Sequence, residues 1–206
     1  MSDIADNEAR QRILEAAETL FASRGYSAVK LRDIAQAVGM KHASLYYYVH
    51  GGKEQLFIAV FEYSFSRHRD GIEAAIQGAG ESLCQQLYAV ADWFTDQSAI
   101  DLERIQQGDR PSISIEEMQR LSFFAYDALR MPLYTILERA KNRGEIEVKD
   151  INLAVMALIN MVRSTCGIPG IKQQERIDIG HELVDMLLDG LRTRSIFFFV
   201  FYQIVG

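Results

Sequence analysis

Apolar residues recur at helical spacing from early in the chain. Ile13, Leu14, Ala17, Leu20 and Phe21 share one face and predict a first helix. Asp6 or Asn7 is placed to cap its start, and Gly25 follows its end. Leu31, Ile34, Ala35 and Val38 form the inner stripe of a short second helix, which Gly39 stops. A third helix over about 42–49 buries Leu45 and Val49, one turn apart, and Gly51 and Gly52 break the chain again. From Lys53 onward the pattern lengthens. It predicts helices near 53–76, 81–96, 98–107, 114–143, 150–166 and 174–194, with Gly- and Pro-containing stops between them. There is no internal repeat and no strand-rich segment before the tail. The expected fold class is all-α, and three short helices with a glycine turn between the second and third describe a helix-turn-helix.

Composition narrows the picture. The chain has 206 residues, 49% of them hydrophobic, which supports a substantial core and argues against global disorder. Cys84 and Cys166 sit in apolar contexts, as two ordinary thiols in a reducing compartment would. The first eleven residues are polar and acidic, unlike a signal peptide, and no apolar run approaches the roughly 20 residues of a membrane helix. A cytoplasmic protein with no membrane partner is expected.

A formal charge of −6 argues at first sight against nucleic acid, but the charge is unevenly placed. Between Arg24 and Lys53 stand five basic residues (Arg24, Lys30, Arg32, Lys41, Lys53) and one acid, Asp33, so this stretch carries +4. Residues 57–206 hold 15 basic and 21 acidic side chains. A short basic patch on an acidic body suits a protein that touches DNA at one end only. The third helix strengthens that reading. With Leu45 and Val49 inward, His42, Ser44, Tyr46, Tyr47 and Tyr48 are left at or near the surface. Tyrosine and serine hydroxyls, lysine and backbone amides bind phosphates, and His and Ser also reach base edges.

Taken in order, Arg12-Ile-Leu-Glu-Ala-Ala-Glu-Thr-Leu-Phe21, Gly25-Tyr26, Asp33-Ile-Ala35, Val38-Gly39, Leu45-Tyr-Tyr-Tyr-Val49 and Lys53-Glu-Gln-Leu56 resemble the N-terminal domain of the tetracycline-repressor (TetR) family over about residues 10–60. The resemblance implies a DNA-binding domain at 1–55 and a helical ligand-binding and dimerisation domain at 56–194. It implies DNA contacts by Lys30, Arg32, Lys41, His42, Ala43, Ser44, Tyr46, Tyr47, Tyr48 and Lys53, the last at the start of the fourth helix, where free amides also favour a phosphate. The partners it implies are a palindromic double-stranded operator, a second copy of the chain and a small hydrophobic or amphipathic effector, with repression the usual mode. Lys30 stands where the family usually has Thr or Ser as a helix cap, so a side-chain cap is expected to be lost.

In the body, Trp93, Phe94, Phe123, Tyr126, Tyr134 and Met156 each fit an ordinary core, while the resemblance makes some of them walls of an effector pocket. Asn160 and Arg163 interrupt an apolar run and need partners, in a ligand or in the second subunit. The wide apolar stripe from Ile177 to Leu191, together with 150–166, is the natural dimer seam. The tail 195–206 is apolar and β-prone, and has no assigned role. An enzyme is not expected. Gly51-Gly52-Lys53 lacks the upstream glycine of a phosphate-binding loop, Gly78-Ala-Gly80 completes no dinucleotide fingerprint, and the four histidines have no metal-ligand spacing with the cysteines. No cofactor is expected either.

Overall fold

The computed structural model describes residues 2–96, 113–166 and 170–191. These form eight α-helices and no strand: α1 (Ser2–Arg24), α2 (Leu31–Ala37), α3 (His42–Tyr48), α4 (Gly52–Gly78), α5 (Leu83–Asp96), α6 (Ile115–Asn142), α7 (Ile151–Cys166) and α8 (Gln173–Leu191). The all-α expectation holds, and the helices begin and end within a few residues of the predicted limits, with one exception. The helix expected at 98–107 and the tail 195–206 lie outside the described residues. The exception is α1, which starts at Ser2, so Asp6 and Asn7 lie inside it rather than capping it. No Gly or Pro stands between Ser2 and Asn7 to stop the helix.

The chain divides into two compact units. The first holds α1–α4 and α6 as far as Pro132; the second holds α5, the remainder of α6, α7 and α8. In the first unit Ile13, Leu14, Ala17, Phe21, Val29, Ile34, Ala35, Leu45, Val49, Leu56, Phe57 and Val60 form one buried cluster. It takes residues from each of α1–α4, so no one of these helices has to bury its stripe alone. Three junctions fix the geometry. Gly25 (φ 81°) donates its N–H to the Phe21 carbonyl at 3.0 Å and closes α1. The α2–α3 turn is a Schellman motif. Gly39 (φ 69°) donates to Gln36 at 3.2 Å, and Met40 reaches back to Ala35 at 2.8 Å. At the α3–α4 junction Gly51 has φ 86°, and a Cβ there would collide with the Gln55 side chain.

A polar seam joins α1 to α4 beside this core. Tyr63 donates to Glu15 at 2.9 Å, Ser64 to Glu18 at 2.8 Å, and Arg67 to Glu18 at 3.1 Å. Next along α4, Glu62 pairs with Arg120 of α6 at 2.8 Å, and Arg120 also holds Glu117 at 2.7 Å. Between Glu62 and Arg67, α4 thus carries ties to both neighbours.

In the second unit Leu87, Val90, Leu133, Leu137, Val155, Leu158, Val184 and Leu188 are buried. α8 packs on α5 at Gly180, where an added Cβ would meet Ala91 Cβ at 3.5 Å, an ordinary contact. The same crossing carries polar ties: His181 Nε2 lies 2.8 Å from Asp92, and Tyr88, stacked on the His181 ring at 4.2 Å, donates to Asp185 at 2.6 Å.

Candidate nucleic-acid interface

The α2–α3 turn sets the pose of α3. Because Leu45 is fully buried and Val49 nearly so, the seven residues HASLYYY can only present their other faces outward. Ala43 and Tyr47, four apart, lie on the side opposite Leu45, and Tyr47 is 65% exposed. His42 and Tyr46 share one flank, with ring centroids 5.1 Å apart and edges to face. Ser44 and Tyr48 share the other. Ser44 is exposed, but Tyr48 is half-buried against the core cluster. Its hydroxyl donates to the Asp6 carboxylate at 3.3 Å. Partial burial and that carboxylate push the Tyr48 hydroxyl above its usual range.

The His42–Tyr46 flank borders an open hollow of about 380 Å³, lined also by Ser27, Lys30, Arg32 and Lys53. Three of these six side chains are cationic, Lys30 and Arg32 from the start of α2 and Lys53 from the start of α4. Lys53 lies 4.0 Å above the Tyr26 ring and 3.5 Å from the Ser27 carbonyl, at the first turn of α4. Lys30 is the N-cap residue of α2. As an ammonium it has no acceptor to offer the helix, so the side-chain cap is missing as expected. The opposite arm is present instead, because Asp33 accepts the Lys30 backbone N–H at 2.9 Å. That leaves the exposed Lys30 side chain turned to the hollow.

Of the residues read from the sequence as DNA contacts, the structure gathers Lys30, Arg32, His42, Tyr46 and Lys53 around one hollow. Lys41, Ala43, Ser44 and Tyr47 are exposed on or beside α3. Tyr48 stands apart, its hydroxyl given to Asp6. Sequence reasoning did not single out Ser27 or Asp6 for these roles. Nor did it see the Asp33 arm, although Asp33, third residue of α2, has the capping-box spacing that signals it.

The residues read as an effector pocket fall in both units. In the first, Phe123 is 70% exposed and Tyr126 also faces outward, with the Arg130 guanidinium 5.6 Å from its ring. In the second, Phe94 is buried, Trp93, Tyr134 and Arg163 are half-buried, and Met156 and Asn160 are exposed. The Asn160 amide is spent within its own helix, donating to the Met156 carbonyl at 2.8 Å. Cys84 is a free, half-buried thiol. Among the described residues no group of three His, Cys, Asp or Glu could hold a metal ion, and no helix is long and apolar enough to cross a membrane.

A short exposed helix held beside a cationic hollow by a glycine turn defines a helix-turn-helix of the DNA-reading kind. Residues 13–60 match the family described as bacterial regulatory proteins, tetR family. Over 76 residues it is 38% identical to the HTH-type transcriptional regulator LmrA of Bacillus subtilis, an alignment covering 35% of this chain and 40% of that one. Over 71 residues it is 34% identical to the HTH-type transcriptional repressor KstR2 of Mycobacterium tuberculosis, covering 33% and 36%. The matched segment thus spans about two fifths of the length of these curated relatives. The fold extends further. The crystal structure of the regulator FadR from Bacillus subtilis in complex with stearoyl-CoA superposes with a TM-score of 0.69 over 87% of this chain and 98% of that one, at 20% identity.

Proposed function

We propose that the chain is a non-enzymatic transcriptional regulator that binds double-stranded DNA as a homodimer and acts as a repressor. In this reading residues 1–55 read DNA, and 56–194 bind the effector and the second subunit. A small hydrophobic or amphipathic molecule releases the protein from a palindromic operator, in the cytoplasm. The observation that carries the reading is the exposed face of α3 beside the hollow of Lys30, Arg32 and Lys53. Groups of this kind neutralise backbone phosphates, while the outer face of α3 is free to enter a major groove. The curated relatives named as a regulator and a repressor support it. FadR, solved with stearoyl-CoA, supports an amphipathic effector. Dimerisation is supported by apolar side chains that α7 and α8 leave outside: Leu153 is 64% and Met186 67% exposed, and Met156 is exposed beside them.

The test is selection of bound duplexes from a random-sequence pool, followed by affinity measurement on the selected site. A regulator of this kind yields an inverted repeat with half-sites about one helical turn, roughly 34–36 Å, apart or somewhat more. No enrichment at low salt would overturn the reading.

A further inference from the structure

The base-facing side of α3 is chemically unusual. Direct readout leans on bidentate side chains, Arg or Lys to guanine and Asn or Gln to adenine. The helix His42–Tyr48 contains none of these four residue types. Its cationic neighbours Lys30, Arg32 and Lys53 line the hollow on the His42–Tyr46 flank. His42 and Tyr46 pack on each other there. The Tyr48 hydroxyl is turned to Asp6. What remains at the crest is the methyl group of Ala43, the hydroxyl of Ser44 and the ring of Tyr47. A methyl and an aromatic face, one helical turn apart, match one feature of the major groove best: the C5-methyl group of thymine.

We propose that this helix reads its site chiefly by thymine methyl groups packed against Ala43 and Tyr47, rather than by bidentate hydrogen bonds to purines. The inference rests on the DNA-binding reading above and names the chemistry that reading leaves open. Burying one methyl is worth about fourfold in affinity. A symmetric pair of half-sites doubles that free energy, giving about fifteenfold for one methyl removed from each.

The experiment replaces each thymine of the selected duplex in turn by deoxyuridine, which removes only the methyl, and measures affinity by fluorescence anisotropy. The expected result is a loss of about fourfold or more per half-site at one or two thymines and none elsewhere. Tyr47→Phe, which keeps the ring face, should keep that loss, and Tyr47→Ala should abolish it at the thymine that Tyr47 covers. Tyr47 is 65% exposed, so neither variant disturbs the core. A selected duplex that binds wild-type protein equally well with and without its methyls overturns the inference while leaving DNA binding intact. So does a half-site centred on guanine and lost with Lys41→Ala, since Lys41 is the one Arg, Lys, Asn or Gln between 41 and 50. So does a methyl effect that Tyr47→Ala leaves unchanged at every thymine. Failure of the pool to yield any duplex overturns the underlying reading instead.

Discussion

The Ser64 hydroxyl donates to the Glu18 carboxylate at 2.8 Å, joining α4 to α1 across 46 residues of chain. Ser64 is 3% exposed, and Arg67 adds a second bond to the same carboxylate oxygen at 3.1 Å. Glu18→Ala therefore strands a buried hydroxyl as well as removing an ion pair. It should destabilise the protein by about 1–3 kcal/mol. Glu117→Ala, at an exposed pair, should change stability much less. Urea midpoints of the two variants decide this, and equal effects would remove Glu18 from the seam.

Glu15, one turn earlier on α1, supplies a pH dependence. Its carboxyl is held below the usual carboxylate range, first by the Gln11 amide and then by the Tyr63 hydroxyl. A folded-state pKa below the unfolded one stabilises the protein above the ordinary carboxylate range. That contribution is lost as pH falls through the folded value. The melting temperature of wild type should thus exceed that of Glu15→Gln at pH 6, and the gap should narrow toward pH 3. A gap that widens on acidification would contradict the assignment.

Lys53 carries the electrostatic prediction. It lines the hollow with Lys30 and Arg32 and sits in the first turn of α4. Lys53→Ala should weaken DNA binding to a similar extent for all sequences and lower the slope of log K against log salt by roughly one unit. A salt titration that gives wild-type slope and affinity would remove Lys53 from the interface.

Much of this was legible in the sequence because it is local. Gly39 after an apolar stripe marks a Schellman turn, and Leu45 and Val49 orient α3, with no knowledge of the rest of the chain. What was not legible depends on residues far apart. Nothing near Asp6 reveals that Tyr48, 42 residues on, donates to it, so Asp6 read as a helix cap and Tyr48 as an outward contact. Asn160 looked like a buried polar group in need of a partner. On α7 it is exposed and bonds its own helix at Met156, a pattern periodicity cannot separate from burial. The ties of Glu62 to Arg120 and of Glu18 to Ser64 have no local signature at all.

Oligomeric state is a separate test. Leu153 on α7 and Met186 on α8 are large apolar side chains left exposed on helices whose other faces are buried. If these helices form the dimer seam, Leu153→Glu with Met186→Glu places charges in it, which lack partners there and cannot be desolvated cheaply. The doubly substituted chain should be monomeric at micromolar concentration by light scattering while retaining its helical circular dichroism. An unchanged dimer would move the seam elsewhere.

The last prediction concerns how an effector and DNA would oppose each other. Helix α4 begins beside the hollow of Lys30, Arg32 and Lys53 and is continuous for 27 residues. Between Glu62 and Arg67 it is tied to α6 by Arg120 and to α1 by Tyr63, Ser64 and Arg67. A displacement of α6 therefore pulls α4 through Glu62, and α4 carries α1 with it. A compound that alters Trp93 fluorescence should bind free protein more tightly than operator-bound protein. Linkage requires the same factor when DNA affinity is measured with and without the compound. Couplings of this kind commonly span about 5–150-fold, and reversing a 1:99 population needs a preference of about 5.5 kcal/mol. Arg120→Gln removes one tie and leaves the α1 seam, so it should shrink the factor by about twofold, as suits an exposed pair, without changing which residues contact DNA. The exchanged pair Glu62→Arg with Arg120→Glu should restore it. A factor unchanged in Arg120→Gln would show that α6 moves α4 by packing alone, and equal compound affinities with and without operator would show that the compound is no inducer.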